Sequence, residues 1–210
     1  MENKVYYGEY SLYHWIKLIL KKNIVLPDYQ RNFTWTLETR ENLIKSLREK
    51  EFVPPVTIGF FSEDGKNKNI IIDGQQRLTS ILLSVLGYFP DREAYKKYID
   101  QKKKTEIGDA IKFLDGNDDT EEIKENLDEQ DVIDWSFSDL LEQDKDLTVE
   151  QLRKKIENIK YFKPLDNGNE KIDKNFLQNT YLGFSYLVPK KGGQQDYYSS
   201  VFRNINMQGM

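Results

Sequence analysis

One stretch constrains the fold more than any other: Asn69-Ile70-Ile71-Ile72-Asp73, then Gly74, then Gln75-Gln76-Arg77, then Leu78, Ile81, Leu82, Val85 and Leu86. The first run is short and β-branched, as in a strand, whereas the apolar positions after it recur at three and four residues, the period of a helix. The hydrophobic period therefore changes across a single glycine, which predicts a strand, a tight turn and a buried helix. A partner strand lies just upstream. Val56 to Phe61 is apolar, and Ser62 to Lys68 with its turn pair Asp64-Gly65 joins the two runs, so a hairpin is expected.

The rest of the chain supplies helices to cover such a sheet. Leu12, Trp15, Ile16, Ile19 and Leu20 form a helical stripe behind Ser11 as N-cap, ending near Lys21-Lys22-Asn23. Ile24 to Leu26 is a short apolar run stopped by Pro27, and Thr36 caps a second helix that turns Leu43, Ile44 and Leu47 inward. From Asp91 to Lys160 the sequence is charged and helix-compatible, with Thr148 as a further cap. Tyr181 to Val188 reads as an apolar strand, and Tyr198, Val201, Phe202 and Ile205 imply a last helix that Gly209 ends. The expected class is α/β of the mixed α+β kind. Residues 1–90 and 160–210 would form the core that carries the motifs, and residues 91–159 a charged helical insertion within the same domain.

The 210 residues include no Cys and one His, His14. A disulfide framework, a Cys-based zinc site and a cysteine nucleophile are excluded, and one imidazole cannot build a zincin or an HNH-type metal nuclease. Chemistry here must use carboxylates, amides, hydroxyls, Arg, Lys or another chain. There is no GxxxxGK[ST] and no GxGxxG, Gly183-Phe184-Ser185 lacks the second Gly of a nucleophile elbow, and Asp115 to Asp119 fails as a calcium loop because Asn126 stands where Glu is needed. No secretory leader and no membrane-length apolar run is present, so a soluble, cytoplasmic chain with no membrane contact is expected. The net charge of −4 conceals segregation: Asp115 to Asp146 holds 14 acidic residues against two Lys, a local −12, so the motif-bearing remainder carries +8.

Three segments carry the polar groups for a site. In Asp73-Gly74-Gln75-Gln76-Arg77, amides at a helix start, a Gly that admits close approach and an Arg in the first turn make an anion site. Asp73 would either cap the helix or hold Mg2+ through water, and Gln75 or Gln76 would orient a water. The structural alternative is that Gly74 turns the chain and Arg77 pairs with a neighbouring carboxylate. In Tyr29-Gln30-Arg31-Asn32-Phe33-Thr34-Trp35, aromatics beside Arg suit stacking on a base with a phosphate contact, or else anchoring of the loop by Tyr29, Phe33 and Trp35. Arg203 and Asn206 share a helix face, where solvated polar residues are the default.

In this order the segments resemble a family. Leu26-Pro27-x-Tyr29-Gln30-Arg31-x-Phe33-x-Trp35, Gly59 in a strand, Ile72 to Thr79 around Asp73-Gly74-Gln75-Gln76-Arg77, and Phe202-x-x-x-Asn206-x-x-Gly209 together resemble the N-terminal domain of GmrSD-type modification-dependent restriction systems, in the ParB/sulfiredoxin-like superfamily. The resemblance implies a ParB-like core that binds and hydrolyses a nucleoside triphosphate with Mg2+ in phage defence. On it, Asp73, Gly74, Gln75, Gln76 and Arg77 form the nucleotide site; Tyr29, Gln30 and Arg31 line the same cleft or sense modified DNA, with Trp35 as a DNA-stacking partner, and Asn206 closes it. Family members commonly carry an HNH-like nuclease, which this chain would take from another domain or subunit. Sulfiredoxin-type chemistry is excluded, since it needs a Cys. Two other readings remain at this level: a DNA-binding or modified-base sensor without turnover, and an acidic inhibitor or assembly module, with a homo-oligomer among the partners left open.

Overall fold

No apolar run announces the first strand, β1 (Lys4–Ser11), which in the computed structural model passes directly into α1 (Leu12–Leu20). The structure describes residues 2–25, 33–63, 66–113, 141, 147–165, 172–190 and 194–208. Ser11 caps α1 by accepting from the His14 amide at 3.3 Å, and the expected stripe from Leu12 to Leu20 is buried. Then come β2 (Ile24–Val25), α2 (Leu37–Glu49) capped by Thr36, β3 (Val56–Glu63), β4 (Lys66–Asp73) and α3 (Gln75–Leu86). They are followed by β5 (Tyr88–Pro90), α4 (Arg92–Phe113), α5 (Val149–Glu157), β6 (Phe162–Pro164), α6 (Lys174–Asn179), β7 (Tyr181–Val188) and α7 (Gln194–Gln208). The expected mixed α/β class is the one observed.

The main sheet has the strand order β1-β7-β3-β4-β2. β1–β7 and β3–β4 are antiparallel, while β3–β7 and β2–β4 are parallel. The C-terminal ends of β1, β2 and β4 therefore share one end of the sheet with the starts of β3 and β7. The hairpin connection is shorter than the expected Ser62 to Lys68. Ser62 pairs with Asn67 and Glu63 with Lys66, because a backbone ladder continues through polar residues that no hydrophobic pattern marks. The turn pair Asp64-Gly65 lies outside the described residues, as does Gly209.

Alternation along β4 divides the core between the two faces. Ile71 joins the large cluster with residues of α1, α2, α3 and α5, whereas Ile70 and Ile72 join Leu187 and Tyr198 beneath α7. Residues 91–159 contribute to the first face, since Tyr95, Leu152 and Ile156 are buried there, and the β5–β6 ribbon pairs Tyr88 with Pro164 and Pro90 with Phe162. Apart from Leu141, the acidic stretch from Asp115 to Asp146 lies outside the described residues.

Asp91 ties this ribbon to α4. Its Oδ1 accepts from the Ala94 amide at 2.7 Å, its carbonyl accepts from the Tyr95 amide at 2.9 Å, and its Oδ2 accepts from the Lys163 ammonium on β6. The Lys163 hydrogen bond, with the Ala94 amide second, holds the carboxyl below its ordinary value. A depressed folded pKa contributes stability above the unfolded value and loses it as pH falls through the folded one. Asp91→Asn keeps a capping oxygen but loses the charge, so its melting temperature should lie roughly 1–3 °C below wild type near neutral pH, with the gap closing as the pH drops below about 4. A pH-independent gap in thermal melts would contradict this assignment.

Candidate functional site

β4 hands over to α3 through Gly74, which sits at φ 97° as the N-cap of the helix and offers no side-chain cap. A Cβ on Gly74 would lie 3.0 Å from Val56 Cγ2 and 3.1 Å from Arg77 Nη2, so both the left-handed backbone and the space require glycine. Asp73, expected as a cap or a Mg2+ holder, does not cap. The capping position is already taken by Gly74, which leaves Asp73 one residue early and one helical turn from Arg77. Its Oδ2 meets Arg77 Nη2 at 2.6 Å, so the alternative in which Arg77 pairs with a neighbouring carboxylate describes this contact. The same Nη2 donates to the Pro55 carbonyl at 3.2 Å, at the start of β3. Arg77 is 14% exposed, and its Nε is buried without a hydrogen-bond partner among the described residues. Asp73 is 39% exposed, and among the described residues no group of three or more His, Asp or Glu could hold a metal by itself.

The second signature segment is fastened to the same helix start. Gln76, buried, accepts through Oε1 from the Thr34 amide at 2.9 Å and from the Trp35 amide at 3.3 Å. Arg92 at the start of α4 donates to the Thr34 carbonyl, and Phe33 is buried edge-on against Phe89 at 5.6 Å between ring centroids. On the other side, Val25 pairs with Ile70, three residues before Asp73 on a parallel strand. Both flanks of residues 26–32 thus sit at the end of the sheet where α3 begins. Tyr29, Gln30 and Arg31 themselves lie outside the described residues. Phe33 anchors to the core, as the structural alternative had it, and Trp35 is partly buried against the same cluster. Asn206 has its backbone on α7, whose neighbour Ile205 packs against the opposite face of the sheet from α3, and its side chain lies outside the described residues.

Two contributions leave no mark in the sequence, and a third leaves one. Gln76 as a loop anchor and Arg92 as its second tie carry no pattern, because a side chain that satisfies distant backbone groups leaves no local periodicity. Arg40 was legible: it precedes Leu43, Ile44 and Leu47 at helical spacing, it is buried, and its Nε donates to Ser84 Oγ on α3 at 2.7 Å.

A mixed sheet with a glycine-capped helix behind one strand, and a second loop secured to that helix's first turn, defines an α/β domain organised around a strand–helix junction. Residues 14–210 match the GmrSD restriction endonuclease, N-terminal domain, and the chain belongs to that family, which makes it a component of a restriction system. An uncharacterized protein of Methanocaldococcus jannaschii is 35% identical over 105 residues, covering 40% of this chain, and the match spans 18% of that protein's length. No solved structure matches the chain. No described helix is long and apolar enough to cross a membrane.

Proposed function

We propose that the domain binds and hydrolyses a nucleoside triphosphate at the β4–α3 junction and thereby controls a nuclease supplied by another domain or subunit of the restriction system. The observation that carries this reading is Arg77, whose guanidinium is held by Asp73 and Pro55 in the first turn of α3 while its Nε is buried and has no partner among the described residues. An arginine positioned in this way at the positive end of a helix is preorganised for a phosphate. Gly74 would make the turn that points the α3 amides toward a phosphate, Gln75 would orient water, and Gln76 would hold the loop that brings Tyr29, Gln30 and Arg31 to the nucleotide, with Asn206 closing the site. Mg2+ suits a junction with one half-exposed carboxylate only as an ion carried on the phosphates and contacted by Asp73, since hard cations retain waters and need few protein ligands. DNA, modified or unmodified, is the remaining partner, read by Tyr29, Arg31 and Trp35.

Titration of a panel of nucleoside triphosphates with magnesium tests the proposal. At least one should bind and release phosphate, and Arg77→Ala should weaken binding by roughly tenfold or more while retaining its circular dichroism spectrum, a loss in keeping with one charged hydrogen-bonding contact. No binding of any nucleotide to folded wild-type protein would sink it. Salt-dependent binding to a modified duplex under those conditions would instead favour the sensor reading.

A further inference from the structure

β1 forms one outer edge of the five-stranded sheet, pairing with β7 over all eight of its residues. Its alternation can be assigned from one hydrogen bond. The Leu12 amide donates to the Thr180 carbonyl at 2.9 Å, continuing the register in which Ser11 lies opposite Tyr181. Hydrogen-bonded positions alternate in an antiparallel ladder, so Lys4, Tyr6, Gly8 and Tyr10 face β7, while Asn3, Val5, Tyr7 and Glu9 direct their N–H and C=O groups off the sheet. Edge strands are usually blunted by charge, proline, a bulge or shortness, and the charges of β1, Lys4 and Glu9, stand toward its two ends. β1 has an unbroken register and no proline, and its centre carries Val5, Tyr6 and Tyr7 at 40%, 51% and 79% exposure.

We propose that this edge pairs antiparallel with the same edge of a second copy of the chain, with Tyr6 opposite Tyr6 on a twofold axis, so that the two sheets become one. An isologous strand pair can only oppose residues that both face outward or both face inward, which limits the register to a few choices. The Tyr6-centred register places Val5 opposite Tyr7 as a hydrogen-bonded pair on each side of the axis, with Asn3 opposite Glu9 and Lys4 opposite Gly8. Val5 then meets Tyr7 on one face of the joined sheet and Tyr6 meets Tyr6 on the other, in the aromatic and β-branched pairing that stabilises sheets. No like charges face each other, since Lys4 of one copy lies opposite Gly8 of the other and Glu9 opposite Asn3. The Tyr7-centred register instead sets Val5 against the Glu9 carboxylate. Centring on Val5 would set Tyr6 against Lys4 and Tyr7 against Asn3, so the Tyr6-centred register alone pairs Val5, Tyr6 and Tyr7 with apolar or aromatic partners throughout, and this self-complementarity points to a second copy as the occupant.

The absence of cysteine makes the register directly testable in the full chain. At the axis the Tyr6 pair is non-hydrogen-bonded, with Cα atoms about 4.5 Å apart, within disulfide reach. Sedimentation equilibrium over a concentration series should show wild type approaching twice 24.9 kDa. Tyr7→Lys should remain at the monomer mass with an unchanged thermal midpoint, because Tyr7 is 79% exposed in the single chain. Under mild oxidation Tyr6→Cys should give a covalent dimer and Tyr7→Cys should not. Wild type at monomer mass throughout, a dimer indifferent to Tyr7→Lys, or cross-linking by Tyr7→Cys in place of Tyr6→Cys would each overturn the proposal.

Discussion

Gln76→Leu is expected to cost about 2–4 kcal/mol of stability, because two part-buried backbone donors lose their acceptor at once. Leucine comes close to the volume of the glutamine side chain but offers nothing to the amides of Thr34 and Trp35, which Gln76 Oε1 accepts at 2.9 and 3.3 Å. For a chain of this length the loss should appear as a fall of roughly 5–15 °C in melting temperature. The functional consequence should be larger than the structural one. Tyr29, Gln30 and Arg31 connect to the body on this side through Phe33 and Thr34, so releasing Thr34 from α3 separates the two signature segments although Arg77 is untouched. Nucleotide binding should drop by at least an order of magnitude in titrations run well below the melting point. Gln76→Glu keeps an oxygen in the same place and should recover most of the stability at neutral pH. Wild-type nucleotide affinity in Gln76→Leu would show that the two segments do not form one site.

The elements that could be read from the chain are those in which one residue does two visible things. Ser11 and Thr36 both end an extended stretch and begin a one-sided apolar stripe, and Thr148 forms a capping box with Gln151, so α1, α2 and α5 are marked twice over. The β4–Gly74–α3 unit is marked by its change of period. β1 is marked by nothing comparable, because Val5, Tyr6 and Tyr7 at its centre are exposed on both faces and the alternation has no buried side to report. In the candidate site, the segment Asp73 to Arg77 stands out in the chain, but the contacts made within it do not. Whether Asp73 caps or pairs depends on a shift of one residue in where the helix starts, and that shift is decided by the Gly74 backbone conformation and the proximity of Val56. Gln76 makes its bonds across more than 40 positions of chain, a distance at which local spacing holds no information. Motif resemblance reached the family because it does not depend on such contacts, and the match over residues 14–210 bears it out.

Gly59→Ala should destabilise the protein by about 2–4 kcal/mol and do so chiefly through α7. Gly59 lies on β3 opposite Ile70, on the face that receives α7, and a Cβ there would come within 2.6 Å of the Tyr198 ring and 2.7 Å of Ile72 Cδ1. Isoleucine can rotate its terminal methyl aside. The Tyr198 ring cannot yield as easily, because it is buried and its hydroxyl donates to the Phe60 carbonyl, the residue next to Gly59. Added volume therefore lifts the helix and breaks that bond together, an overpacking cost with a hydrogen bond lost on top of it. Pairing the change with Tyr198→Leu should recover part of the loss relative to Tyr198→Leu alone, since the smaller side chain vacates the space; full additivity in denaturant melts would show that Tyr198 is not what the new methyl strikes. The same variant separates the two faces of the sheet. If Asn206 on α7 closes the nucleotide site, Gly59→Ala should weaken nucleotide binding as well as stability, whereas unchanged affinity in the folded variant would confine the site to the α3 face and remove Asn206 from it.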